Sequence, residues 1–139
     1  GESARAWLEL IDSGGLGDLL RVDGVHFHLH GYDPIARATA LGEALELIDR
    51  ARVAEPDNAA IVDSYGWVLY RLGRNAEALV ELRRAWTLMK DPEVAAHVAE
   101  VLWVMGRRDE AREYFRKAMA LDPENRSLRR ALESTGAEL

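Results

Sequence analysis

Residues 59–91, AAIVDSYGWVLYRLGRNAEALVELRRAWTLMKD, and residues 92–125, PEVAAHVAEVLWVMGRRDEAREYFRKAMALDPEN, carry one pattern twice. Arg71-Leu72-Gly73-Arg74 in the first stretch is answered by Val104-Met105-Gly106-Arg107 in the second. Working outward, Ala44, Ala78 and Ala111 recur at spacings of 34 and 33, and Ala51, Ala85 and Ala118 follow at the same spacings. Gly31-Tyr32 and Gly66-Trp67 lie 35 apart. Pro56 and Pro123 close the first and third units, while Pro92 sits just past the second. Small residues at fixed phases of a period near 34 mark a repeat architecture.

Each unit reads as two helices. Val62, Tyr65, Gly66 and Leu69, then Ala78, Leu79, Leu82 and Ala85, recur at helical spacing. Glycines 73 and 106 stand where a helix should stop, because glycine accepts the left-handed conformation just past a helix end. Asp91-Pro92 and Asp122-Pro123 pair a good N-cap with a proline at the first helical position. Asn75 and Asp109 are the N-caps expected for the second helices. No stretch of alternating β-branched residues reads as a strand, so the expected fold class is all-α.

Composition agrees with a protein that buries a core. Of 139 residues 48% are apolar and 30% charged, which excludes a membrane span as the chain's main feature. Eighteen basic against twenty-four acidic side chains leave −6, a balance that argues against nucleic acid as a partner. Without cysteine there is no disulfide and no thiolate chemistry. Gly1-Glu2-Ser3-Ala4 lacks the basic and apolar regions of a signal peptide and reads as the start of a fragment.

The repeats resemble the tetratricopeptide repeat family, a 34-residue helix–turn–helix unit marked W-x2-L-G-x2-Y, then A-x3-F, then P. The third unit carries Ala111-x3-Phe115 and Pro123; the second carries Tyr65-Gly66, Leu69, Ala78-x3-Leu82 and Ala85; the first carries Phe27, Gly31, Ala44-x3-Ile48, Ala51 and Pro56. The resemblance implies a helical solenoid of three units, at residues 24–58, 59–91 and 92–125. Residues 126–139 form the expected capping helix, with Leu128, Ala131 and Leu132 on one face. Residues 1–23 read as a helix carrying Trp7, followed by a glycine-rich loop, the remnant of an earlier repeat. The first unit departs from the family, with His30 at a usually apolar position and Pro34 inside its expected first helix. Two separate helices are expected there, the alternative being one longer helix started by Asp33-Pro34.

Chemistry finds little footing. His26-Phe27-His28-Leu29-His30 puts His26 and His30 four apart, a spacing that chelates zinc on a helix, yet no further ligand is fixed by the sequence. No metal site, cofactor site or catalytic residue is therefore expected. Ser64 lies mid-helix rather than on a strained elbow, and Gly14, Gly15 and Gly17 lack the Gly-Lys-Ser/Thr of a phosphate loop. Glu43, Glu46, Glu77, Glu81 and Glu110, set among arginines, read as a salt-bridged helix surface. The chain is not expected to be an enzyme.

In the family it resembles, the first helix of each unit lines a concave groove that holds a protein or peptide. Carried over by position, that face is Val25, His28, Tyr32, Ile35 and Ala36, then Ala60, Asp63, Trp67, Tyr70 and Arg71, then Glu93, Ala96, Glu100, Trp103 and Val104. Trp67, Tyr70 and Trp103 stand out, since aromatic rings beside an arginine are enriched at binding hot spots. Asp63, Arg71 and Glu100 would orient the polar groups of a peptide around that centre, and Tyr32 extends the set. The other reading of the same rings is packing between repeats. Trp86 and Tyr114, on second helices, are expected to pack.

The stretches Ile61–Arg74 and Asp91–Trp103 are more particular. They are similar to the C-terminal repeats of proteobacterial outer-membrane lipoproteins that serve as adaptors for a periplasmic carboxyl-terminal processing protease. That resemblance implies the tail of a larger scaffold whose partners are a protease and its substrate proteins, anchored to the membrane through a segment elsewhere. Without it the compartment is read as cytoplasmic. Self-association through an exposed N-terminal repeat face is the competing expectation.

Overall fold

The structure, a computed structural model, describes residues 19–22, 25–28 and 34–139, with side-chain surroundings from Thr39 onward. A short antiparallel hairpin comes first, β1 (Leu19–Val22) paired with β2 (Val25–His28), with Leu19 opposite His28 and Val22 opposite Val25. Six helices follow: α1 (Pro34–Ala54), α2 (Ala59–Arg71), α3 (Asn75–Leu88), α4 (Pro92–Val104), α5 (Arg108–Leu121) and α6 (Arg126–Thr135). Helices α2 with α3 and α4 with α5 are the two antiparallel pairs expected, stacked in an all-helical repeat array.

The N-terminal part corrects three expectations. Residues 25–28 are a strand, so the helical pairing of His26 with His30 does not exist; His30 itself, Trp7 and Tyr32 lie outside the described residues. Leu19–Val22 is likewise extended, within a stretch expected to hold only a helix and a loop. The signal for the hairpin is Asp23-Gly24 between two apolar runs, a dipeptide suited to tight two-residue turns. The two helices expected for the first unit are replaced by the single 21-residue α1, starting at Pro34. Proline is accommodated at a first helical position, and the alanine- and leucine-rich run beyond it contains a single glycine, Gly42.

Local signals set the other boundaries. The Asn58 side chain accepts from the N–H groups of Ala60 and Ile61, and Asp91 accepts from Glu93 N at 2.8 Å, so α2 and α4 are capped by side chains. Gly73 and Gly106 end these helices at φ 83° and 84°. Arg74 N bonds Leu69 O and Arg107 N bonds Leu102 O, each at 2.9 Å, the six-residue closure that a left-handed glycine permits. The expected caps Asn75, Asp109 and Asp122 do not hold those positions: Arg74 and Arg107 precede α3 and α5 without side-chain bonds, Asn125 caps α6 after Asp122 ends α5, and Asp109 adds negative charge to the first turn of α5.

The core runs along the stack in two main clusters. Leu41, Ala44 and Ile48 of α1 meet Ile61 and Val68 of α2. Leu82, Leu102, Phe115 and Leu128 join α3, α4, α5 and α6, and all four are fully buried. Gly66 lets α2 and α3 approach closely, since a Cβ there would lie 2.8 Å from Leu82 Cγ. On the outside, Arg83 bridges to Glu110 at 2.8 Å and Arg74 pairs with Glu77. Glu81 departs from the expected salt-bridged surface: its Oε2 is buried with no hydrogen-bond partner among the described residues.

Candidate functional site

Helices α2, α4 and α6 are brought side by side, and side chains 34 residues apart in sequence meet between them. His97 Nδ1 of α4 lies 2.8 Å from Asp63 Oδ1 of α2, and the Ser127 hydroxyl of α6 donates to Glu93 of α4. Asp63 and His97 are 2% and 5% exposed. The Trp67 ring stacks on the His97 imidazole at 4.2 Å and 25°, and Tyr70 packs against the indole at 5.1 Å.

Beside this buried core of ring and carboxylate opens a cavity of about 140 Å³. Its walls are Trp67 and Arg71 from α2, His97 and Glu100 from α4, and Ser127, Arg130 and Ser134 from α6. Spacings of three, four and seven keep each set on one helix face. Three separate helices thus contribute one wall each, and none of them could form the site alone.

The electrostatics are compact. Burial alone would lower the His97 pKa, but Asp63, joined by Glu93 and Glu100, outweighs it and holds the imidazole above its ordinary value. A carboxylate has no proton to give, so Nδ1–H donates to Asp63, which fixes the ring's orientation. Burial raises Glu93 as well, against the lowering effects of His97 and the Ser127 hydroxyl. The Tyr70 hydroxyl is raised by burial and by the nearby Glu100 carboxylate.

The sequence-derived groove residues divide. Trp67, Arg71 and Glu100 line the cavity, and Tyr70 adjoins it through Trp67 and Glu100. Asp63 is buried beneath the site and orients His97 rather than facing a ligand. Trp103 is absent from the cavity wall; its half-buried ring lies under the guanidinium groups of Arg108 and Arg112 from α5, at 4.7 and 5.4 Å. Trp86 and Tyr114 meet edge-on at 6.1 Å, with Lys117 over both rings. Sequence reasoning missed His97, Ser127, Arg130 and Ser134. The repeat spacing carried a signal for two of them, since His97 and Ser127 stand 34 residues after Asp63 and Glu93. Among the described residues there is no cluster of three or more metal-ligating side chains, and no helix is long and apolar enough to cross a membrane.

Comparison with known proteins agrees with this architecture. Residues 92–125 match the family model described as tetratricopeptide repeat. A TPR repeat-containing protein of Pseudomonas aeruginosa is 49% identical over 70 residues, which is 50% of this chain and 12% of that protein. The chain therefore spans only about an eighth of the length of that relative. Among solved structures, a thermophilic TPR protein of Thermus thermophilus superimposes with a TM-score of 0.67 at 25% identity, covering 95% of this chain and 59% of that one. A MamA AMB-1 structure gives 0.56 at 24% identity, covering 84% of this chain and 63% of that one, a likeness of fold alone. The helical array is a tetratricopeptide repeat fold, and the unit at residues 92–125 is the one the family model matches.

Proposed function

We propose that this tetratricopeptide repeat chain is an interaction module of a longer scaffold protein, and that it binds a protein or peptide segment on the face formed by α2, α4 and α6. The observation that carries the reading is the cavity itself, where an indole, an arginine and a glutamate from different helices converge. Aromatic and arginine side chains in a partly enclosed site are the groups that dominate binding energy. The module works by holding partners rather than by chemistry. The narrower proposal is that the parent protein is an outer-membrane-anchored adaptor bringing substrate proteins to a periplasmic carboxyl-terminal processing protease. Its support is the resemblance of Ile61–Arg74 and Asp91–Trp103 to such adaptors.

Affinity capture from bacterial envelope extract tests both levels, comparing the intact chain with an Arg71→Gln/Arg130→Gln version whose helicity is checked by circular dichroism. Proteins captured only by the intact chain are the expected result. Equal capture by both versions would refute the inner face as the working surface. A processing protease absent from the capture, with other proteins present, would remove the narrower reading alone.

A further inference from the structure

Another cluster of side chains lies along the seam where α3 meets α5, and none of its residues belongs to the α2–α4–α6 cavity wall. Arg83, Trp86 and Lys90 share one face of α3, and Glu110, Tyr114, Lys117 and Leu121 share one face of α5. The seam opens with the Arg83–Glu110 ion pair and continues with the edge-on rings of Trp86 and Tyr114. Lys90 Nζ lies 4.8 Å from the Trp86 ring centre. Lys117 Nζ lies 6.0 Å from that ring centre and 4.5 Å from the one of Tyr114. The sequence has no other lysine, so both meet over one aromatic pair, their ammonium groups at most about 11 Å apart.

Charge pairing separates these two cations from the arginines around them. Arg52, Arg74, Arg83, Arg84, Arg107 and Arg112 each reach a carboxylate within 3.3 Å. Lys90 donates to the Trp86 backbone carbonyl, and Lys117 makes no hydrogen bond; neither has a carboxylate partner among the described residues. Glu113 stands four residues before Lys117, the spacing at which helix ion pairs form, yet Lys117 turns to the rings. A ring face holds an ammonium group close without neutralising it. In a chain of net charge −6, these two uncompensated cations run against the overall balance. The seam ends among exposed apolar side chains, with Leu88, Met89 and Leu121 39%, 41% and 49% exposed. We propose that the α3–α5 seam is a docking surface for an acidic segment of a protein partner, whose carboxylates take Lys90 and Lys117 and whose apolar side chains rest on Trp86, Tyr114 and Leu121. Carboxylates two residues apart on an extended segment are about 7 Å apart, which two ammonium groups so placed can meet. This surface is additional to the α2–α4–α6 face and does not rest on it.

The test uses the full chain labelled with ¹⁵N, with the Trp86 indole N–H signal assigned by Trp86→Phe. Three probes are titrated to about 10 mM at about 10 mM salt, where the screening length is about 30 Å. Acetyl-Glu-Leu-Glu-Leu-Glu amide carries carboxylates and apolar side chains, acetyl-Gln-Leu-Gln-Leu-Gln amide only the apolar ones, and inorganic phosphate is a bare anion. A saturable shift of the Trp86 signal with the glutamate peptide alone, weakened by added salt, is expected. Lys90→Gln/Lys117→Gln should weaken that binding roughly fivefold or more, while Lys90→Arg/Lys117→Arg should retain it. Arg74→Gln/Arg129→Gln removes the same net charge elsewhere and should change it less than about twofold. Circular dichroism checks that each variant is folded. No shift, an equal response to the glutamine peptide or to phosphate, or equal weakening in the lysine and arginine variants overturns the proposal. So does sedimentation of the chain with phosphatidylglycerol vesicles in place of peptide binding, which would assign the seam to a membrane surface. Any of these failures leaves the α2–α4–α6 face standing, because envelope capture with Arg71→Gln/Arg130→Gln tests that face separately.

Discussion

Gly66→Ala is the perturbation on which the helix–helix geometry can be judged. The added Cβ would sit 2.8 Å from Leu82 Cγ, 2.9 Å from Leu82 Cδ2 and 3.3 Å from Ala78 O. Carbon atoms rest at about 3.5–4.0 Å, so the contact with Leu82 is far inside the repulsive wall. Leu82 is fully buried, so it can move only by displacing its neighbours or filling a void. Two effects oppose each other. Alanine is a better helix former than glycine by about 0.8–1.0 kcal/mol, while overpacking a filled core costs about 1–3 kcal/mol. The net expectation is a destabilisation of about 0–2 kcal/mol, a fall in melting temperature of roughly 3–5 °C per kcal/mol for a chain of this size. The decisive comparison is the same substitution in a Leu82→Ala background. Both clashing carbons are then gone, and Gly66→Ala should stabilise by about 0.5–1 kcal/mol. Urea unfolding followed by circular dichroism measures the four proteins of that cycle. If Gly66→Ala stabilises the intact chain, or has the same sign in both backgrounds, the close α2–α3 approach is not what Gly66 serves.

The remaining expectations concern the caps, the buried histidine and the outer tryptophan. Asp91→Ala removes the side-chain acceptor at the start of α4 and should cost about 1 kcal/mol in urea unfolding. Gly106→Ala forces a Cβ into φ 84°, which should cost roughly 1–2 kcal/mol, although nothing crowds the added methyl. His97 is held above its ordinary pKa, so the folded state favours its proton; the stability it adds is complete below about pH 6.5 and is lost as pH rises through the raised value. Glu93, raised by burial, adds a loss of the same sign starting at lower pH. Unfolding midpoints measured across that range should therefore fall more steeply for the intact chain than for His97→Gln. A parallel pair of curves would refute the assignment. Trp103→Ala should leave capture on the inner face unchanged, because its ring lies under Arg108 and Arg112 rather than in the cavity.

Much of the fold was legible because its signals are local. Asp91 as a cap, Gly73 and Gly106 as stops and the recurring apolar phases each act within one or two helical turns. The repeat also marked the inner helices, and with them Trp67, Arg71 and Glu100. The hairpin escaped because helical expectations were extended into the first unit, across Asp23-Gly24. The unbroken α1 is the alternative that Asp33-Pro34 leaves open, since a proline fits a helix start as well as an interruption.

Sequence by itself determined the period, the cap at Asp91, the stops at Gly73 and Gly106 and which residues are small enough for close packing, since each depends on a few neighbouring residues. Tertiary structure alone decided that Asp63 is spent on orienting His97, that α6 completes a wall with Ser127 and Arg130, and that Trp103 is covered by arginines while Trp67 faces a cavity. Repeat phase assigned Trp67 and Trp103 to one face. Which neighbours approach each ring is set by the packing of separate helices, and that packing arises only when buried side chains such as Leu82, Leu102 and Phe115 fill the space between them.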